Sequence, residues 1–205
     1  MFNVQCSMVN VQCSMFNVQC SMVNEILKNI KADLRSAMNG VTAARIRESG
    51  MDYHLVFGVE YPRLQSIAAA YTPDRQLAQA LWQEDVRESR ILATMLMPIE
   101  DFFPELADLW AESIKPTQAE LAGFLVANLL CRAPYASDKA FVWMATDDPV
   151  LQLLGFLLIT RLLRQGAQLS PDAEAEFLDQ AEATLPSPFL PLRKAVQNAL
   201  MAFGQ

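Results

Sequence analysis

From Asn24 to the end of the chain, every break in the sequence is a helix start or stop, and no stretch sustains the period-two alternation of a half-buried strand. Asn24 is placed to cap a helix ending at Gly40, with Ile26, Leu27, Ile30, Leu34 and Met38 along one stripe. A short helix follows over Thr42–Glu48 and stops at Gly50. Pro62 sits at the first position of a helix running to about Tyr71. Asp74 caps Arg75–Gln83, and Asp85 opens a segment that Pro98 stops after Met97. Helices are predicted over Pro104–Glu112, Thr117–Cys131 and Ser137–Met144. The pairs Asp148-Pro149 and Ser170-Pro171 each read as a cap followed by proline at the first helical position, opening helices to Arg164 and to about Ala183. After Pro186, Pro188 and Pro191 a last helix reaches about Phe203.

These helices have enough apolar matter to pack. Hydrophobic residues make up 52% and charged residues 19%, which excludes a mainly disordered chain. The apolar run Val150–Ile159 is too short to span a bilayer and reads as a buried core helix. Seven glycines against eleven prolines argue against a glycine-rich barrel or a phosphate-cradling loop fold. A single histidine, His54, removes most histidine-based metal sites and Ser-His-Asp chemistry; no metal and no cofactor is expected. The net charge of −7 opposes non-specific attraction to nucleic acid. The acidity is concentrated in the second half, so a local basic face in the first half is compatible with it.

The first residues have a different character. Phe2–Met8, Val9–Met15 and Phe16–Met22 are near-identical heptapeptides, and no charge occurs before Glu25. The apolar residues do not fall at a and d of a heptad, and no charged positions flank a seam, so a coiled coil fails. An odd period would also flip the face of a strand at every junction. Residues 1–23 are therefore expected to be a loose tail without a catalytic role, and residues 24–205 a single helical domain. Outside the repeat one cysteine remains, Cys131, which fits a reducing cytoplasm and no disulfide framework.

About ten to eleven short helices joined by short turns imply antiparallel pairs, and pairs stacked side by side make an α-solenoid. Two stretches carry a resemblance. The first is Phe57-Gly58-Val59-Glu60-Tyr61-Pro62-Arg63-Leu64-Gln65-Ser66-Ile67-Ala68. The second is Leu77-Ala78-Gln79-Ala80-Leu81-Trp82 with Val86-Arg87-Glu88-Ser89-Arg90-Ile91-Leu92-Ala93; Trp110, Asn128–Ala136 and Lys139-Ala140-Phe141 continue in order. Together, over roughly residues 24–163, they resemble the DNA alkylation repair family, the HEAT-like alkylpurine DNA glycosylases. The resemblance implies an all-α, HEAT-like solenoid holding duplex DNA in a concave groove. In active members it implies excision of cationic alkylpurines by electrostatic stabilisation of the deoxyribose as the base leaves.

The resemblance also locates the chemistry, and there the sequence departs from it. The family's aspartate falls at or near Gly123 and its arginine near Leu153 or Leu154, so neither charge is present. Glu120, one turn from Gly123 on the same helix face, is the candidate catalytic substitute. Arg45, Arg63, Arg87, Arg90, Arg132 and Lys139 are the candidate DNA-binding residues. For Arg87 and Arg90, three apart on one face, pairing with Glu84, Asp85 or Glu88 is the competing role. Trp82, Trp110 and Trp143 read as core anchors, Cys131 as an inert buried thiol and His54 as a polar surface or satisfied core residue. The alternative to DNA is a non-catalytic solenoid scaffold that holds a protein partner; neither reading involves a membrane.

Overall fold

The computed structural model describes residues 21–204. The first two heptapeptide units and the third up to Cys20 lie outside the described residues; residues 21–23 of the expected tail are helical. Helix α1 covers 21–36 of the described chain, followed by α2 (Gly40–Glu48), α3 (Tyr61–Ala68), α4 (Arg75–Gln83), α5 (Arg87–Leu96) and α6 (Pro104–Glu112). Then come α7 (Glu120–Asn128), α8 (Ala136–Met144), α9 (Pro149–Arg164), α10 (Pro171–Thr184) and α11 (Leu190–Phe203). Among the described residues there is no strand. One isolated parallel bridge joins Leu55 to Val86. No described helix is long and apolar enough to cross a membrane.

The caps largely follow the sequence. Asp74 accepts from the Leu77 N–H at 2.8 Å, Asp148 from Val150 and Leu151 at 2.7 and 3.0 Å, and Ser170 from Ala173 at 3.3 Å. Each such cap is worth about 1 kcal/mol. Several boundaries differ. Residue 24 is already inside α1, and Gly40 opens α2 instead of closing α1, because Asn39 caps that helix through the Thr42 N–H. Asp85 does not cap α5; its carboxylate instead accepts from the His54 N–H and from Gln118 Nε2. The single helix expected over 117–131 is a shorter α7 flanked by 3-10 turns at Pro116–Gln118 and Leu130–Arg132.

The packing order defines the architecture. The odd-numbered helices stack in series, α3 on α5, α5 on α7, α7 on α9 and α9 on α11. The even-numbered helices back them: α4 lies on α5, α6 and α8 on α9, and α10 on α11. Contacts to the next element and the next but one are the signature of a solenoid. The three tryptophans are buried, and Trp82 and Trp110 stack with ring centres 4.2 Å apart.

Two constraints hold this stack in register. Glu88, wholly buried at the start of α5, accepts from the backbone N–H of Phe57 at 3.0 Å, Gly58 at 2.9 Å and Val59 at 3.3 Å. Gly58 adopts φ 73°, and a Cβ there would lie 2.3 Å from the Asn39 carbonyl oxygen and 2.5 Å from the Ala43 nitrogen. The second constraint is Gly155, where α9 crosses α8. A Cβ at that position would meet the Ala140 carbonyl oxygen at 2.7 Å and the Met144 nitrogen at 2.8 Å.

Two predictions follow from these contacts. Glu88→Ala strands three buried N–H groups and should lower unfolding free energy by about 3–5 kcal/mol, measured by urea denaturation. Gly155→Ala should cost about 1–3 kcal/mol through overpacking. Gly123→Ala, in α7 with nothing within 4 Å of an added Cβ, should gain about 0.5–1 kcal/mol. Opposite shifts in thermal midpoint for the same chemical change would verify the pair.

Candidate functional site

Three helix stripes converge on one groove. On α7 the residues are Glu120 and Gly123, one turn apart; on α9 they are Leu153 and Leu157; on α11 they are Pro191, Lys194, Ala195 and Asn198. These are the i, i+3, i+4 and i+7 spacings of single helix faces. Since α9 packs against both α7 and α11, α9 is the floor and the other two are the walls. The groove has a volume of about 480 Å³, and Met51, Pro116 and Thr117 close one end. At the other end it runs into a smaller cavity of about 130 Å³ that shares Gly123, Leu157 and Asn198 and adds Arg161 and Arg164.

Gly123 and Leu153, the places where the family resemblance puts an aspartate and an arginine, therefore both line this groove; Leu154 is wholly buried in the core. Glu120 is the one carboxylate in the lining among the described residues, and it is engaged. Arg87 Nε donates to Oε1 at 2.6 Å and Nη2 to Oε2 at 3.0 Å, a two-pronged pair, while the Tyr53 hydroxyl donates to Oε1 at 3.3 Å. Arg87 Nη1 also reaches Glu88 Oε1 at 3.3 Å. Burial works against the Arg87 guanidinium, but its bond to Glu120, the Glu120 charge and then Glu88 more than reverse that and raise its pKa. Burial first, and then the Glu120 charge, push the Tyr53 phenol well above its ordinary value of 10, against the smaller opposing pull of Arg87.

A second polar network shapes the closed end. Gln118 is fully buried; its Nε2 donates to the Asp52 carbonyl oxygen at 2.6 Å and to Asp85 Oδ1 at 3.1 Å, and its oxygen accepts from Arg90 Nη1 at 2.9 Å. This ties the segment carrying Met51 and Tyr53 to the turn carrying Pro116 and Thr117. Arg90 is itself buried, bonded to the Glu84 carbonyl oxygen at 3.1 Å and lying 5.7 Å over the Trp82 ring.

Of the six candidate cations, Arg87, Arg90 and Lys139 are held by partners within the fold. Lys139 pairs with Asp108 at 2.8 Å, beside Trp143, whose Nε1 donates to the same carboxylate at 2.9 Å. Arg45 on α2 and Arg63 on α3 are exposed. Arg132 is exposed and donates to the Asn128 carbonyl oxygen at 2.6 Å. None of the six lines the groove. Cys131 is a half-buried free thiol, and His54 is exposed.

The groove's own cations, Arg161, Arg164 and Lys194, were missed by the sequence reading. All three are exposed and make no ion pair among the described residues. A signal was present: Leu153, Leu157, Arg161 and Arg164 continue one helical stripe, so α9 turns from apolar to cationic along a single face.

Tyr53 gives this site a pH signature. Its folded pKa is raised, so the folded state keeps a proton that the unfolded state loses above about pH 10. Stability is then unaffected below pH 10 and falls above it. Tyr71, lifted by burial and its bond to Asp33, and Tyr135, lifted by burial and the Asp108 charge, are each pushed up to about 12 and act in the same direction. The urea midpoint should drop between about pH 9 and about pH 11, and Tyr53→Phe should make that drop smaller.

Residues 30–205 match the family model described as DNA alkylation repair enzyme. No curated protein matches the chain in sequence. A solved structure from "a new family of proteins related to the HEAT-like repeat DNA glycosylases with affinity for branched DNA structures" is similar, with a TM-score of 0.73 at 19% identity, covering 85% of this chain and 74% of that one. At that identity the likeness establishes the fold, a HEAT-like α-solenoid.

Proposed function

Because the chain belongs to the DNA alkylation repair enzyme family, we propose that it binds DNA along the groove over α7, α9 and α11 and excises no base. One observation carries this reading: Glu120, the groove's only carboxylate among the described residues, has both oxygens occupied by Arg87. Loss of a cationic base leaves positive charge developing on the deoxyribose, and the groove needs a free anion aimed at that charge to speed the step. A carboxylate already neutralised by a guanidinium at 2.6 and 3.0 Å offers little. Gly123 and Leu153 add no charge. What survives is a DNA-shaped solenoid without the electrostatics of excision.

The similar solved structure comes from proteins with affinity for branched DNA, which supports a preference for DNA architecture over a chemical lesion. Exposed Arg45, Arg63 and Arg132 are available to phosphates outside the groove. Work on DNA goes with a place in the reducing cytoplasm, where Cys131 stays a free thiol. The apolar lining of Met51, Pro116, Leu153 and Leu157 favours a second reading, a groove that holds an amphipathic helix of a protein partner.

A titration of intact and branched duplexes against the full chain over a range of salt concentrations separates these. Tighter binding of the branched DNA, with log K falling linearly in log salt, is expected, together with no methylated base released from alkylated duplex. Base release that Glu120→Gln abolishes would overturn the non-excising reading. A flat salt response would leave the protein-partner groove instead.

A further inference from the structure

The chain has seven cations in its second half, and three of them, without an ion pair among the described residues, lie on this one groove beside an aliphatic floor. We propose that Arg161, Arg164 and Lys194 grip DNA phosphates while Leu157, half-buried above the core residue Leu153, receives a base that has left the stack, so that the groove selects DNA with an unpaired nucleotide. The assignment rests on the DNA-binding reading above and adds to it which residues hold the backbone and what feature of the DNA is read.

The chemistry of the lining points to this ligand. A stacked, paired duplex presents charged phosphates and polar base edges, which give a leucine floor nothing to bury. An unpaired base presents two apolar faces next to its own phosphates. That pairing of apolar surface and anion is what α9 displays along one stripe, Leu153 and Leu157 first, then Arg161 and Arg164. From Leu153 to Arg164 the stripe is about 16 Å long, the span of roughly five backbone steps of one strand. Lys194 on the α11 wall faces the same space. A volume of about 480 Å³ lies within the range of small-molecule sites and suits one or two nucleotides.

The arginines also have a local role, since cations in the last turn of α9 complement its helix dipole. That role acts on stability, not on DNA, so the test reads binding. The full chain is titrated with three DNAs of equal length: an intact duplex, a duplex with one unpaired base, and a three-way junction. A fluorescent adenine analogue replaces the unpaired base. The doubly substituted R161Q/R164Q chain should bind all three DNAs at least about tenfold more weakly at low salt, with the slope of log K against log salt reduced by about 1.8. Leu157→Gln should keep the slope and lose the preference for the unpaired base. In the unsubstituted protein the analogue's emission should change on binding, a readout that does not depend on how either variant folds.

If the protein binds DNA and R161Q/R164Q, with an unchanged circular dichroism spectrum, keeps the full slope, the grip lies elsewhere and the assignment falls while the family reading stands. Equal affinity for all three DNAs with silent analogue emission overturns the unstacked-base part. No binding to any of the three removes the reading on which the assignment rests.

Discussion

The structure depends on a single buried carboxylate. Glu88 has no exposure to solvent, and an unpaired carboxylate in that position would be very costly. Three consecutive backbone N–H groups and the neighbouring Arg87 satisfy it. In doing so they clamp the segment before α3 onto the start of α5. The clamp has two further effects. It requires residue 58 to be glycine, because the loop passes within bonding distance of the α1–α2 connection. It also anchors one end of the Arg87 guanidinium, so that the rest of the fork is aimed across at Glu120 on α7. One buried charge thus positions the loop, the glycine and the ion pair that holds the groove's Glu120.

The stacking of α3, α5, α7, α9 and α11 explains why the groove has its composition. Helices α5 and α9 are each packed by an odd-numbered neighbour on either side and by a partner from the even-numbered layer, so their exposed faces are narrow. On α9 that face carries leucines where the core is close and arginines where the helix runs out into solvent. The net charge of −7 hides this arrangement. The acidic side chains of α10 sit on another element, outside the lining of the groove. A whole-chain charge describes the average surface, whereas binding depends on the local one.

The ion pair between Arg87 and Glu120 separates the family's shape from its chemistry. Two long side chains meet there with both prongs made, a geometry that organises the interface between α5 and α7. The same geometry occupies both oxygens of Glu120. The proposed non-excising role rests on this competition for one residue, Glu120, between the stack and electrostatic catalysis.

Much of this was legible in the residues alone. The Asp74, Asp148 and Ser170 caps, the proline starts and the helical periods specify local backbone structure through neighbours a few positions away, which is why the all-α character and most boundaries could be read directly. Gly123 and Leu153 could be flagged by their place in the family motifs. The partner of Arg87 could not: sequence proximity favoured Glu84, Asp85 or Glu88, and the dominant partner, Glu120, lies 33 residues away. Asp85 likewise left its helix for Gln118, and Arg161, Arg164 and Lys194 were brought to one groove from two helices. Local propensity acts over one or two turns of chain, so the sequence by itself determined the rods and their ends. Which faces of those rods meet depends on contacts between residues distant in the chain, so only the tertiary structure decided which charges are spent inside the fold and which remain to face a ligand.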